Sequence, residues 1–265
     1  MLRRYILGID AAWSTKNPSG VALLESNPNQ QPKLIKVGRS YEEFQNGLVN
    51  LDLKVTGSFP SFSELLEPIP RPIIIALDIP MAPFLIEGRR EVDQALSREY
   101  GRYKAAVHSP TKDRPGIIAT AIFEQLKNLG YQWAIDYKHE NVFFEVYPHA
   151  SIIELFGYSE RLTYKVNKKA KYWPNATKAE RKQNIISKLN ELRDHLASLI
   201  DISEKLIPRL DRTVQYKDKF LKGYEDLLDA TVCAVTGYYY LQGKIKPFGD
   251  KDGVAWVPDI IANDI

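Results

Sequence analysis

Acidic residues stand at the ends of short apolar runs in this chain, a placement that could do chemistry. Tyr5 to Ile9 stops on Asp10, Ile73 to Leu77 stops on Asp78, and Val142 to Phe144 stops on Glu145. A strand buried on both faces reads as such a continuous apolar run. An acid at its end is held at the rim of the core, with its backbone fixed and its oxygens facing out. Three more acids, Glu225, Asp226 and Asp229, fall where an apolar helix begins. Asp226 and Asp229 are three apart and share one side of that helix, where two like charges are unfavourable unless a cation offsets them. If the helix packs with its first turn at the rim where Asp10 and Asp78 emerge, three or four carboxylates converge. Mg²⁺ suits such oxygen ligands, taking them at about 2.0–2.1 Å while keeping several waters. Two such ions about 3.5–4 Å apart can activate a water and stabilise the leaving oxygen of a phosphodiester. Plainer roles stand beside this one. Asp is an ordinary residue of turns, and an acid in a first helical turn complements the helix dipole for about 0.3–1 kcal/mol.

The totals bound the choices. With 265 residues, 44% hydrophobic and 26% charged, the chain can bury one sizeable core, and a single domain over 1–265 is expected. No run approaches the roughly 18 apolar residues of a membrane span. The opening Met-Leu-Arg-Arg-Tyr lacks the apolar stretch of a signal peptide. Cys233 is the only cysteine, which leaves no internal disulfide, and the spacings of a zinc site are missing. A cytoplasmic protein is the expectation; oligomeric state is not legible. Ten Lys and Arg fall within residues 161–193 against Glu180 and Glu191, in a chain whose total is only +3, so the remainder is net acidic. Such asymmetry can mark a surface that meets an anion.

The elements that must position these residues follow from pattern. Tyr5 to Ile9, Gly20 to Leu24 and Lys33 to Val37 read as three antiparallel strands. Tyr41 to Leu51 reads as a helix capped by Ser40, with Glu43 at the capping-box position. Residues 54–72 read as loop, and strands follow at Ile73 to Asp78 and Val142 to Val146. Helices are expected at Arg89 to Tyr103, Ile117 to Leu129, Ala150 to Phe156, Lys178 to about Leu199, and Tyr224 to about Leu241. The sum is an α/β chain.

These residues carry a resemblance. Three opening strands with Gly-Ile-Asp, a later strand ending Ala-Leu-Asp-Ile-Pro and a last helix with Glu-Asp-x-Leu-Asp-Ala look like the ribonuclease H-like fold, in an order similar to Holliday-junction resolvases. More closely, Gly-Ile-Asp-Ala-Ala-Trp, Leu-Asp-Ile-Pro, Phe-Glu-Val-Tyr-Pro-His, Leu-Leu-Asp-Ala and Gly-Val-Ala-Trp-Val-Pro, in that order, resemble the domain-of-unknown-function 429 family, described as predicted nucleases of that superfamily. The resemblance implies a mixed five-stranded sheet flanked by helices, with helical insertions over about 84–135 and 150–222. It implies a nuclease using Mg²⁺ or Mn²⁺ on DNA or RNA. By matched motifs, Asp10, Asp78 and Asp229 form the metal-binding core and Asp226 is a fourth ligand or a supporting group. Glu145 follows on the next strand, where ribonuclease H keeps no catalytic acid, and is expected in the same cleft. Arg90 and Asp93 resemble a family Arg-x-x-Asp pattern that positions substrate; a helix salt bridge is the alternative. His149 is a candidate for handling protons or binding substrate. Lys165, Lys168 and Lys169 lie among Tyr164, Tyr172 and Trp173, a mixture suited to phosphate attraction with base stacking.

Two other functions stay open. Asp10 to Thr15 followed by Gly20 faintly resembles the phosphate-binding hairpin of sugar and acetate kinases, which share the strand topology but need a second copy of the fold. A non-catalytic nucleic-acid-binding domain would use the basic segment and leave the acids dispensable.

Overall fold

The computed structural model describes residues 3–47, 57–58, 61–138 and 140–260. Apolar β-branched runs near the N-terminus give β1 (Arg4–Asp10), β2 (Gly20–Ser26) and β3 (Lys33–Gly38). Then come α1 (Tyr41–Asn46), α2 (Phe62–Leu66) and β4 (Ile74–Leu77). The middle of the chain forms α3 (Glu91–Tyr100), α4 (Ile117–Asn128), β5 (Gln132–Trp133), β6 (Val142–Val146) and α5 (Pro148–Phe156). It closes with α6 (Lys169–Tyr172), α7 (Lys178–Leu199), α8 (Asp218–Leu241), β7 (Ile245–Asp250) and β8 (Gly253–Pro258). Among the described residues no helix is long and apolar enough to cross a membrane.

One mixed sheet runs β3-β2-β1-β4-β6-β8-β7, with β5 paired to β6. The expectation of five strands falls short, because the sheet does not stop at β6. The fully buried run of β8 adds parallel to β6 and carries β7 as an antiparallel hairpin partner, so the β6 backbone is paired instead of being left as an open edge. A short helix, α2, also interrupts the loop expected over 54–72, with the Ser61 side chain accepting from the Glu64 N–H. At α1, Ser40 caps as expected, but the Glu43 carboxylate turns to the Arg39 N–H at 2.7 Å. The expected end of that helix, residues 48–51, lies outside the described residues.

Register decides which side chains meet. β1, β4 and β6 are mutually parallel, pairing Ile9 with Leu77 and Leu77 with Glu145. Asp10 and Asp78 therefore leave the sheet side by side, and the Asp78 N–H donates to the Ile9 carbonyl at 2.8 Å. Side chains alternate between faces along a strand. Ile6, Ala76, Val142 and Phe144 pack on the α8 side, whereas Leu7, Ile9, Leu77 and Phe143 pack in a second core on the α4 side. By this parity Asp10 and Asp78 fall on the α8 face, and Glu145 falls on the other.

Candidate acidic site and its cleft

The helix α8 lies across β1, β2 and β4, and glycines let it come close. A Cβ at Gly8 would sit 2.2 Å from the Ala230 carbonyl oxygen, and one at Gly20 would sit 2.1 Å from that of Asp226. Gly237 meets Ile6 in the same way, at 2.5 Å. The helix starts at Asp218, six residues before the expected Tyr224. Glu225, Asp226 and Asp229 thus sit in its interior, beyond the reach of the first-turn dipole, so the dipole account of Glu225 does not hold. Nearly every residue from Leu221 to Gly237 is buried, which makes the acids in this stretch costly unless charges or protons compensate them.

Carboxylate oxygens of Asp10, Asp226 and Asp229 lie within 4.8 Å of one another, a spacing at which one metal ion could touch all three. Asp78 stands beside this trio, not in it. The sequence reading placed Asp78 in the core and Asp226 at its margin; in the structure Asp226 joins Asp10 and Asp229. Two lysines enter from either side. Lys165 contacts Asp229 and lies 3.5 Å from Glu225, and Lys222 contacts Asp226 and lies 2.9 Å from Glu225. The Tyr164 hydroxyl donates to Asp229 at 2.5 Å, and the Val166 N–H donates to Glu225 at 2.6 Å. Among the described residues Asp10 and Asp78 form no ion pair.

The proton affinities follow from this crowding. Burial, opposed by Lys165 and reinforced by Asp10, pushes the Asp229 carboxyl up to about 6. Burial and the Asp10 charge hold Asp78 well above the carboxylate range, and burial does the same for Asp226 against the pull of Lys222. Glu225 goes the other way: burial would raise it, but Lys165 and Lys222 together outweigh burial and hold it down. Five carboxylates gathered against two ammonium groups leave a deficit of positive charge that a cation could make up.

Glu145 lines the same cleft, as expected, but leaves the sheet on the opposite face and does not join the trio. Arg90 grips it with two bonds of 2.8 Å, and the Met81 N–H donates to it at 2.9 Å. Arg90 also meets Asp93 at 2.9 Å, and all three side chains are buried. Arg90, expected to position substrate, spends its guanidinium on two internal carboxylates. Lys169 reaches Asp218 at 2.7 Å, whereas Lys168 forms no ion pair among the described residues. His149 is buried, its Nδ1 lacks a hydrogen-bond partner, and burial with nearby Lys165 and Arg161 holds its imidazole well below its usual range. Lys222 escaped the sequence reading, and Tyr164, read there as an aromatic for base stacking, instead spends its hydroxyl on Asp229. The lysine had a signal, since it precedes Glu225 and Asp226 by three and four residues in a helix; the pairing of Tyr164 with Asp229, 65 residues apart, had none.

Asp10, Asp78, Glu225, Asp226, Lys165 and Lys222 line a cleft of about 1440 Å³, together with Trp13, Tyr147 and His149. A family model described as "Protein of unknown function (DUF429)" matches residues 8–253. No curated protein and no solved structure matches the chain.

Proposed function

Given that the chain belongs to the DUF429 family, whose description assigns no activity, we propose from the site that it is a divalent-metal-dependent phosphodiesterase acting on nucleic acid. The observation that carries this reading is the approach of Asp10, Asp226 and Asp229 to within 4.8 Å of one another, with Asp10 and Asp226 lining the cleft. The donor set is all oxygen and anionic, which fits Mg²⁺ or Mn²⁺ and not a softer ion. Two lysines leave the five carboxylates short of positive charge, and a divalent ion is the natural complement. The strand order β3-β2-β1-β4-β6, with acids at the carboxyl ends of β1 and β4, supports a ribonuclease H-like architecture. Fold likeness alone says nothing of activity, so the site has to.

When bound, the ion supplies Lewis acidity toward a phosphoryl oxygen and a more acidic water. The protein does the rest. Asp10, Asp226 and Asp229 hold the ion, and Tyr164 fixes the rotamer of Asp229 through its 2.5 Å bond. Asp78, beside them at the end of β4 with a raised proton affinity, is placed to take the proton an attacking water gives up. Lys165 and Lys222 keep the acids compact and present ammonium groups toward an incoming phosphate.

The test is direct. Wild type and Asp229→Asn are incubated with labelled single-stranded, duplex, hybrid and branched nucleic acids, with Mn²⁺, with Mg²⁺ or with chelator. Cleavage by the wild type that needs both the ion and Asp229 is expected. Intact substrates throughout the panel would sink the proposal.

A further inference from the structure

The cleft that the acids line is also lined by cations, Arg114, Arg161 and Lys168, with the imidazoles of His108 and His149 among them. Among the described residues Arg114, Arg161 and Lys168 form no ion pair. Arg114 lies 5.9 Å from the Trp13 ring and Arg161 lies 5.6 Å from that of Tyr172, while the acid next to Arg161, Glu160, is taken by Lys104 at 2.6 Å.

Local structure explains how Lys168 comes to stand there. Residues Val166–Lys168 form one 3₁₀ turn, closed by the Lys168 N–H on the Lys165 carbonyl at 2.9 Å. Residues three apart eclipse in such a turn, so Lys165 and Lys168 leave from the same side. The first goes to Asp229; the second forms no ion pair among the described residues. Burial first, then the neighbouring Arg161, Lys165 and Lys171, hold the Lys168 amine below its usual range, with Glu225 opposing them.

His149 adds an independent sign of a ligand. It is 6% exposed, its Nδ1 has no hydrogen-bond partner among the described residues, and its ring is fixed edge-on between Tyr147 and Tyr164, at 5.8 and 5.5 Å. It occupies the second position of α5, whose positive end opens on the same cleft. A buried polar nitrogen left unpaired beside unpaired cations calls for an acceptor-rich anion.

We propose that Arg161, Lys168 and His149, backed by His108 and Arg114, form a phosphate subsite that takes one non-scissile phosphate of a nucleic-acid strand while the acid trio addresses another. The identity of the anion as a strand phosphate rests on the phosphodiesterase reading; its anionic chemistry does not. Arg161 and Lys168 carry the charge, and the imidazole donates a hydrogen bond to a phosphate oxygen.

The full-length protein in chelator, which prevents turnover, is titrated with a labelled single-stranded oligonucleotide and separately with inorganic phosphate, over a range of salt. The comparison is Arg161→Gln combined with Lys168→Gln, two partly exposed positions, with thermal unfolding as the check on folding. The double variant is expected to lose at least tenfold in oligonucleotide affinity. Its log K against log salt should flatten by about 0.7, the value for one single-strand phosphate contact. Stabilisation by Mn²⁺ should be unchanged, because the acids are untouched. Wild-type affinity and slope in the folded double variant overturn the subsite. Phosphate that binds the wild type without competing against the oligonucleotide overturns its assignment to a strand. Loss of binding in the variant, with no cleavage by wild type in any metal, upholds the subsite and removes the nuclease reading.

Discussion

Gly20 stands opposite Asp10 in the first hairpin, and a Cβ there would lie 2.1 Å from the carbonyl oxygen of Asp226. The missing side chain is what lets α8 settle onto the hairpin so that the acids of β1 and α8 share one mouth. Gly20→Ala should push α8 outward and cost about 1–3 kcal/mol by overpacking. The sharper expectation concerns the ion: the variant should lose most of the thermal stabilisation that Mn²⁺ gives the wild type. A folded Gly20→Ala protein with undiminished Mn²⁺ response would show that Asp226 is not a ligand.

Asp10→Asn should have two effects of opposite sign. In chelator it removes one of the charges crowding Asp78, Asp226 and Asp229. The variant should therefore melt higher than wild type, by about 2–4 °C for each kcal/mol relieved in a chain of this size. In excess Mn²⁺ the order should invert. An ion at a hundred times its Kd gives the wild type about 2.7 kcal/mol that the variant forgoes. Differential scanning fluorimetry reads both. A variant that is less stable than wild type in chelator would contradict the charge-crowding account.

Much of this was readable in the residues, and what was not has a physical reason. Tyr5 to Asp10, Ile73 to Asp78 and Val142 to Val146 are apolar runs of strand length, and the structure has strands there. The last helix was legible from its apolar content, but its start was not. Asp218 to Gly223 offers only Phe220 and Leu221 as apolar residues, ends on a glycine and lacks a side-chain N-cap, so pattern alone delays the helix to Tyr224. Glu145 looked equivalent to Asp10 and Asp78 because all three end an apolar run. Equivalence also needs parity, and pairing with Leu77 instead of Asp78 sends Glu145 to the opposite face. Cross-chain partners such as Tyr164 on Asp229 depend on how the 157–217 segment folds back, which no local pattern encodes.

Arg90, Asp93 and Glu145 form a buried ion cluster on the face away from the trio. Removing one partner of such a cluster leaves a charge uncompensated and costs about 3–5 kcal/mol. Arg90→Ala should thus be strongly destabilised, while its Mn²⁺ affinity, measured at a temperature where it remains folded, stays that of the wild type. A mild loss of stability with a large loss of metal or substrate binding would instead place Arg90 in the reacting part of the cleft.

The pH dependence has a defined sign. Burial, with Asp10 reinforcing it against Lys165, sets Asp229 at about 6 in the folded chain, against roughly 3.9 in the unfolded one. Between those values the folded state keeps a proton that the unfolded state has lost, so the contribution to stability is full below about 4 and fades as pH rises through 6. In chelator, wild type should lose stability relative to Asp229→Asn across that window. Mn²⁺ should reverse the trend, since ligation needs the deprotonated form and binding releases protons. A difference between the two proteins that stays flat from pH 4 to 7 would remove the raised Asp229.

Lys165 tests whether the ammonium groups stand in for the ion's charge or serve the substrate. Its Nζ contacts Asp229 and lies 3.5 Å from Glu225, and both carboxylates are buried. Lys165→Met keeps the length of the side chain and removes the charge. Without an ion, the two acids lose a shared counter-charge, and a penalty of about 3–5 kcal/mol is expected in chelator. Mn²⁺ then becomes the main compensating charge at Asp229, so the metal-induced rise in melting temperature should exceed that of the wild type. A lysine that acts only on phosphate predicts an unchanged metal response and a loss confined to oligonucleotide binding. Measuring the Mn²⁺ shift and the oligonucleotide affinity on the same variant separates the two, because charge compensation moves the first and phosphate contact moves only the second.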